Sequence, residues 1–268
     1  MTDTFHRYRR GRRRFRRVRR CGLRRGACRG KNMIRFDHVF KKYPNGREAL
    51  HDVSFEVKAG EFVFLTGRSG AGKSSVLKLL TLIERPTRGT VTVNGQETSD
   101  LPSRAIPAYR RRLGIVFQDH QLLMDRPVYD NVALPLMVSD TRFRDIDKRV
   151  RAALDQVGLL GKERVSPAEL SIGEQQRIGI ARAVVARPTV LIADEPTGNL
   201  DHGLAREVMN LFRRFQDVGV TVLIATHDMA LVREFAQREI LIDEGRVFSA
   251  TPPEPGSGAG TSAAGVLA

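Results

Sequence analysis

Residues 67–75, GRSGAGKSS, have the residue types and spacing of a phosphate-binding loop. The loop follows the apolar run FVFLT and precedes an apolar segment, residues 76–83, that Pro86 ends. Glycines let backbone N–H groups close around phosphates, and the N-terminus of a helix adds partial positive charge. Lys73 would reach the β- and γ-phosphates, and the Ser74 hydroxyl would bind Mg²⁺. The order strand, loop, helix therefore predicts a nucleoside triphosphate site.

Two adjacent carboxylates end a second apolar run, VLIADEP, at residues 190–196. Because side chains alternate along a strand, Asp194 and Glu195 are expected to point in different directions and to serve different roles. Asp194 suits the Mg²⁺ shell, and Glu195 suits polarising the attacking water. The alternative is a solvated acidic strand end. With the phosphate-binding loop, the pair predicts Mg²⁺-dependent hydrolysis of ATP.

The pattern of apolar residues around these motifs predicts an α/β fold. Residues 189–193 and 221–225 are continuous aliphatic or β-branched runs, which are typical of parallel strands covered on both faces. Residues 146–157, followed by Gly158, and residues 204–215 carry apolar side chains at helical spacing. Alternation over residues 34–39 predicts a further strand.

Charge is unevenly distributed along the 268 residues, whose net charge is +15. Residues 1–32 hold 14 of the 45 Lys and Arg residues and one acidic residue, so the remainder is nearly neutral and no specific nucleic-acid binding is expected. Both cysteines, Cys21 and Cys28, lie in the same segment, which excludes a disulfide framework from the body. No apolar run reaches the roughly 18 residues of a membrane-spanning helix, so any membrane role requires a partner.

The composition also divides the chain into regions. Residues 1–32 are interpreted as a basic disordered extension, and Met33, which opens a strand pattern, as the possible true start of translation. A polybasic tail drawn to anionic lipid, or to nucleic acid, is the alternative. Residues 249–268, rich in Pro, Gly, Ser and Ala, are predicted to be a disordered C-terminal tail. The folded domain is therefore expected at residues 33–248.

Over residues 33–248 the motifs occur in the order found in ABC transporter-type ATPases, and the chain resembles the nucleotide-binding subunits of that family. The resemblance implies a P-loop parallel-sheet core with an antiparallel β subdomain and a helical subdomain at about residues 119–187. It also implies a homodimer that sandwiches ATP, in which the signature segment, residues 170–174, completes the phosphate site of the other subunit.

The resemblance assigns roles to residues outside the two motifs. Tyr43 would stack on adenine, Gln118 would sense Mg²⁺ and the partner, and His227 would contact the γ-phosphate; a strand-edge tyrosine, a polar strand end and a capped core histidine are the alternatives. The catalytic set is Glu195, His227 and Gln118. The metal set is Ser74, Gln118 and Asp194. The nucleotide-binding set is Tyr43, Gly67, Ser69, Gly70, Ala71, Gly72, Lys73, Ser74, Ser75, Ser171, Gly173 and Asp201.

The signature segment departs from the family, which normally has Gly where Ile172 stands. The same residues predict a capping box, with Ser171 as N-cap and Glu174 three residues later. If position 172 needs a positive φ or a close approach of the backbone to phosphate, a β-branched residue is costly. We therefore expect that nucleotide binding survives and that hydrolysis or its coupling is altered.

Two tracts narrow the resemblance within the family. ADEPTGNLD, residues 193–201, resembles division, lipoprotein-release and macrolide-export ATPases, and residues 117–136 resemble the cell-division ATP-binding proteins. This implies an FtsX-like integral membrane subunit docking near the loop after Gln118, divisome partners, control of cell-wall hydrolases, and a place on the cytoplasmic face of the bacterial inner membrane at the division site. The alternatives are an ATPase of a lipoprotein-release or export transporter, a soluble ABC protein acting on nucleic acid, and a non-hydrolysing ATP sensor.

Overall fold

Ten strands and seven helices make up the computed structural model, which describes residues 32–119, 121–139, 141–198 and 200–251. The strands are β1 (Asn32–Lys42), β2 (Glu48–Lys58), β3 (Phe62–Thr66), β4 (Arg88–Val93), β5 (Gln96–Glu97), β6 (Leu113–Val116), β7 (Val190–Asp194), β8 (Thr221–Ala225), β9 (Arg238–Asp243) and β10 (Arg246–Thr251). The helices are α1 (Lys73–Leu80), α2 (Ile106–Arg110), α3 (Val128–Met137), α4 (Phe143–Gln156), α5 (Ile172–Val184), α6 (His202–Asp217) and α7 (Met229–Phe235). The predicted basic extension, apart from Asn32, lies outside the described residues.

The strands form two sheets. An antiparallel sheet has the order β2-β1-β4-β5, and a central sheet has the order β10-β9-β3-β8-β7-β6. In the central sheet β3 pairs in parallel with β8 and β9, and β7 pairs in parallel with β6 and β8, whereas β10 runs antiparallel to β9. Because the carboxyl ends of parallel strands meet at one edge, the residues that follow β3, β7 and β8 lie together.

The central sheet separates two apolar cores, as expected for strands covered on both faces. Val63 and Leu65 pack with the antiparallel sheet and α1, where Phe36 and Phe55 stack with ring centroids 4.5 Å apart. Phe64, on the opposite face of β3, belongs to the second core with apolar residues of α3 to α7. The predicted α/β class and the predicted strands β3, β7 and β8 are confirmed.

The predicted helices are also present, with small differences at their ends. The helices α4 and α6 bury the predicted stripes, although Leu204 is only partly buried. Helix α1 begins at Lys73, three residues before the predicted apolar segment, because the phosphate-binding loop leads directly into it. Strand β10 continues to Thr251, where it pairs with Glu239, so the last strand enters the segment predicted as a tail. The remaining tail, residues 252–268, lies outside the described residues.

Helices α3, α4 and α5 occupy the region predicted as the helical subdomain. They pack on one another around Val132, Val150 and Ile178, all of which are fully buried. Among the described residues, no helix has the length and apolar character needed to cross a membrane.

Candidate functional site

The phosphate-binding loop connects β3 to α1 and requires glycine at two positions. Gly67 has a φ of 143°, and a Cβ there would lie 2.1 Å from the carbonyl oxygen of Ile242. Gly72, the N-cap of α1, has a φ of 120°, and its Cβ would lie 2.9 Å from the carbonyl oxygen of Ala49. A side chain would therefore be strained and would clash at both positions. The loop is wedged against backbone from both sheets.

Lys73 is held over this loop by its own backbone. Its ammonium donates to the carbonyl oxygens of Gly67, at 2.6 Å, and Arg68, at 3.2 Å. Only 7% of the residue is exposed, and Nζ lies 3.9 Å from a carboxylate oxygen of Glu195. A buried cation with a loop of backbone around it is suited to bind phosphate oxygens.

Glu195 and His227 form a hydrogen-bonded pair beside this lysine. Strand β7 ends at Asp194, and Glu195 turns out of the strand with a left-handed φ of 46°. Its backbone N–H donates to the carbonyl oxygen of Ala225 at 2.9 Å, which ties together the ends of β7 and β8. Its Oε1 lies 2.8 Å from Nδ1 of His227. The carboxylate is 13% exposed and the imidazole 69%, so the histidine lies on the solvent side of the pair.

Asp194 has a different partner, the hydroxyl of Ser74. Burial, followed by the nearby charge of Glu195, raises the pKa of Asp194, while Lys73 and the Ser74 hydrogen bond act against that shift. The two carboxylates therefore have different neighbours, as predicted, and their separate roles stay a prediction. The cause differs from the prediction, because Glu195 is outside the strand and its left-handed backbone, not strand alternation, separates the two side chains.

A cavity of about 810 Å³ joins these groups, a size within the usual range for small-molecule sites. Its lining includes residues 67, 69, 70 and 72–75 of the phosphate-binding loop, together with Asp194 and Glu195. Gln118, exposed in the turn after β6, also lines it, as does His227. Ala71 does not line the cavity: it is buried, and its carbonyl oxygen accepts a hydrogen bond from the N–H of Gly245.

Tyr43 closes one end of the cavity, directly after β1. Its hydroxyl lies 3.1 Å from Oγ of Ser75, and the ammonium of Lys41 lies 5.0 Å from the centre of its ring. The ring is partly buried and the residue lines the cavity. An aromatic ring in this place suits the base of a nucleotide, because aromatic faces stack on bases, and the role of Tyr43 stays a prediction.

The signature segment lies outside this cavity and caps helix α5. Ser171 accepts from the N–H of Glu174 at 3.3 Å, and Glu174 accepts from the N–H of Ser171 at 3.1 Å, so the predicted capping box is present. Lys162 pairs with Glu174 and, as the main cause, lowers the pKa of that carboxyl. Ser171 is exposed, and so is Ile172, at 55%.

Two further features of the signature bear on its unusual residue. Ile172 is the first residue of α5 and its φ is not positive, so the first reason for expecting strain at this position does not apply. Gly173 is buried, and a Cβ there would lie 3.2 Å from a methyl carbon of Leu204. A side chain at position 173 would therefore displace the end of Leu204 by a few tenths of an ångström, whereas the Ile172 side chain is free to face a partner.

Asp201, predicted to bind nucleotide, does not line the cavity. It is the N-cap of α6, and its Oδ1 accepts from the N–H of Leu204 at 3.1 Å. An N-cap aspartate stabilises a helix by about 1 kcal/mol, so its observed contact within this chain is structural.

Sequence reasoning missed Arg47, which lines the cavity and donates to the carbonyl oxygen of Gly70 at 3.3 Å. It belongs to no motif, and the signal for it is only its place in the turn that begins at Tyr43. Lys78, one turn into α1 from Ser74, also lines the cavity and was not predicted.

The comparisons with known proteins agree with this geometry. The family described as ABC transporter matches residues 50–198. The cell division ATP-binding protein FtsE of Escherichia coli (strain K12) is 54% identical over 215 residues, which cover 80% of this chain and 97% of that protein. FtsE of Mycobacterium tuberculosis (strain H37Rv) is 48% identical over 216 residues, covering 80% and 94%.

A solved structure gives the same result for the fold. It is the dimeric structure of a post-hydrolysis state of the ATP-binding cassette MJ0796 bound to ADP and Pi, with a TM-score of 0.75 and 32% identity over 83% of this chain and 99% of that one. The predicted ABC ATPase fold and the predicted relation to the cell-division proteins are confirmed. The chain belongs to the ABC transporter family of ATP-binding proteins and, within it, to the FtsE cell-division group.

Proposed function

We propose that this chain binds and hydrolyses ATP as the cytoplasmic subunit of an FtsEX-like membrane complex that controls cell-wall hydrolases during division. One observation carries the enzymatic part: Glu195 is held in contact with both Lys73 and His227 beside the phosphate-binding loop. The FtsE relatives support the biological part. The proposed ATPase domain is residues 33–248, with its helical subdomain at about 119–187.

ATP would lie along the cavity, with adenine on Tyr43 and phosphates in the loop. The ring of Tyr43 and the start of α1 are linked through the Ser75 hydroxyl, so the base and phosphate ends of the site are held at a fixed separation. Lys73 would exchange its two backbone acceptors for β- and γ-phosphate oxygens, which are stronger acceptors because they are charged.

Mg²⁺ would be held by the hydroxyl of Ser74, the carboxylate of Asp194 and the side-chain oxygen of Gln118. These donors fit the ion, since Mg²⁺ prefers oxygen ligands and all three supply oxygen. The raised pKa of Asp194 reflects a carboxylate that is partly buried near a second one, an arrangement that a cation relieves. When bound, the ion neutralises charge on the phosphate oxygens.

Glu195 would accept a proton from the attacking water. Its carboxylate is mostly buried and held by Lys73 and His227, so it is positioned before any substrate arrives. His227 lies on the open side of the pair, where its second ring nitrogen can face the γ-phosphate. A positioned general base contributes roughly 10²–10⁴-fold to a rate.

A second copy of the chain would complete the site. Ser171 and Gly173 belong to the capped N-terminus of α5, whose free N–H groups and partial positive charge suit a phosphate. In this chain they lie outside the cavity, so the phosphate they contact would be the partner's. The dimeric cassette bound to ADP and Pi supports this arrangement.

The membrane subunit would dock at a second cavity, of about 660 Å³, between β6 and helices α3, α4 and α5. Among the residues that the structure describes, five arginines and one acidic residue, Asp145, line it; the arginines are Arg110, Arg111, Arg142, Arg149 and Arg182. Beside it Val138 and Phe143 are 63% and 90% exposed. This surface fits a cytoplasmic segment with acidic and apolar side chains. Arg182 donates to the carbonyl oxygen of Gln121, which connects the cavity to the loop after Gln118.

The proposed location follows from these partners: the cytoplasmic face of the bacterial inner membrane, at the division site, with divisome proteins nearby. The alternative function, ATP hydrolysis for a lipoprotein-release or export transporter, differs in its membrane partner and is not favoured by the FtsE relatives.

The test is a pull-down from detergent-solubilised bacterial membranes with tagged Glu195→Gln protein, ATP and Mg²⁺. We expect an FtsX-type membrane protein to be recovered, and Phe143→Asp to reduce its recovery. Val218→Asp is the matched control, since Val218 is 78% exposed and lines neither cavity. Recovery of a lipoprotein-release or export permease, or of no membrane protein, would contradict the proposal.

A further inference from the structure

Arg47 lies at the rim of the nucleotide cavity, outside every motif of the sequence. Its backbone is fixed in a tight turn: its carbonyl oxygen accepts from the N–H of Tyr43 at 2.9 Å, and its N–H donates to the side chain of Asn45 at 3.1 Å. The turn therefore couples the position of Arg47 to that of Tyr43, the residue proposed to hold the base.

The side chain of Arg47 reaches from this turn to the middle of the phosphate-binding loop. Its Nη2 donates to the carbonyl oxygen of Gly70 at 3.3 Å. Gly70 has a φ of 82°, and a Cβ there would lie 3.5 Å from the same nitrogen. The guanidinium thus lies against a bare stretch of backbone, while Lys73 approaches the same loop from its other end through Gly67 and Arg68.

The charge of Arg47 is not balanced in this position. Within the described part of the chain, no carboxylate forms an ion pair with it, and its contact with Gly70 is a long hydrogen bond to a neutral acceptor. Other exposed arginines do find carboxylates, as Arg35 does with Asp37. A guanidinium has five donors, so most of those of Arg47 face the cavity or solvent.

We propose that Arg47 is a further nucleotide-binding residue whose guanidinium contacts the phosphate chain. The inference rests on the proposed ATP site and adds a second cation to it. Arginine suits this place because its rigid planar fork matches two oxygens of one phosphate group, whereas a lysine ammonium acts as a point charge. Lys73 is buried beneath the loop, whereas Arg47 is exposed at the cavity rim. Arg47 would therefore contact the phosphate chain from the solvent side.

The test is nucleotide affinity of the full chain, measured with ATP and with adenosine in competition against a fluorescent ATP analogue. We expect Arg47→Gln to weaken ATP roughly tenfold, the usual scale of one hydrogen bond to a charged group, and to leave adenosine unchanged. Arg47→Lys should lose less, and the loss should shrink at high salt. Arg104→Gln removes the same charge from an exposed site away from the cavity and should leave both affinities unchanged.

The thermal midpoint of Arg47→Gln should match that of the unsubstituted protein, because the residue is exposed and makes one long hydrogen bond with its side chain. ATP affinity of Arg47→Gln within twofold of the unsubstituted protein would overturn the assignment, as would an equal loss for ATP and adenosine. If the unsubstituted protein fails to bind ATP, the proposed function fails with it, whereas a normal affinity that ignores Arg47 defeats this inference alone.

Discussion

The phosphate-binding loop and the signature segment are two helix N-termini built in opposite ways. The loop before α1 is wedged between both sheets, and its lysine is 7% exposed. The N-terminus of α5 is closed by a local capping box, and Ile172 beside it is 55% exposed. The first is held by distant parts of the chain, whereas the second is held by its own first turn and by Lys162.

This contrast predicts that ATP binding and ATP hydrolysis can be separated by substitution in this protein. The groups proposed to bind the base, the phosphates and the metal line one cavity of a single chain. The residues proposed to cover the γ-phosphate of a second copy lie outside that cavity. Each of the first three variants that follow is expected to change either ATP binding in the cavity or hydrolysis and pairing. An effect on the other property would contradict their separation.

The largest effect is expected from Glu195→Gln, which keeps the shape of the residue and removes the proton acceptor. ATP hydrolysis should fall roughly 10²–10⁴-fold while ATP binding persists. Phosphate release and the dimer fraction with ATP would both be measured, and the ATP-bound dimer should accumulate. Turnover equal to that of the unsubstituted protein would remove Glu195 from the base role.

Lys73→Ala should weaken ATP binding by roughly a hundredfold, because it removes the buried cation over the loop. Calorimetric titration with ATP measures this loss. The exposed Lys58→Ala is the control for charge. The substitution should leave the capped α5 N-terminus unchanged. If Lys73→Ala retained its affinity for ATP, the loop would not be the main phosphate site.

Ile172→Gly should increase turnover, and it should do so through the exposed α5 N-terminus without changing the cavity. Overpacking costs on the order of 1–3 kcal/mol, so relief of a crowded contact with a partner should raise dimer formation and turnover roughly tenfold. ATP affinity of the monomer should not change. Ile83→Gly, at a residue 53% exposed that lines neither cavity, is the matched control. Unaltered turnover and dimerisation in Ile172→Gly would show that this side chain does not hinder closure.

The smallest effect is expected from Asp194→Asn, on the stability of the nucleotide-free chain. The raised pKa of Asp194 means that the folded state holds this proton to higher pH than the unfolded state does. The free energy of unfolding therefore decreases as the pH rises from the ordinary Asp pKa to the folded-state pKa. The variant should gain thermal stability above that interval and not below it, unlike the exposed Asp155→Asn. A loss of stability that is the same at every pH would contradict the argument.

The sequence predicted those parts of the molecule that depend on short-range chemistry. The loop, the two carboxylates, the α5 capping box and the buried strands each follow from a few neighbouring residues, and the structure contains all of them. The resemblance to ABC ATPases added Tyr43, Gln118 and His227, which come from distant parts of the chain and meet in the cavity.

Other features depend on distant contacts and left no local pattern. Arg47 reaches the loop because a turn directs it there, and Glu195 leaves β7 because Ala225 holds its N–H. Strand β10 extends to Thr251 because β9 offers it a partner, although its composition favours a tail. Asp201 caps α6 and does not enter the cavity. Its place is set by the residue at which that helix begins.

The exposed position of the α5 N-terminus also bears on how turnover depends on the concentration of the chain. A chain without a second copy would carry ATP in a cavity that lacks its outer wall, since Ser171 and Ile172 lie elsewhere on its surface. Copies below the concentration at which they pair would then hydrolyse little ATP. Pairing of two chains would then limit the rate of ATP hydrolysis, and no separate inhibitor would be needed for unpaired chains.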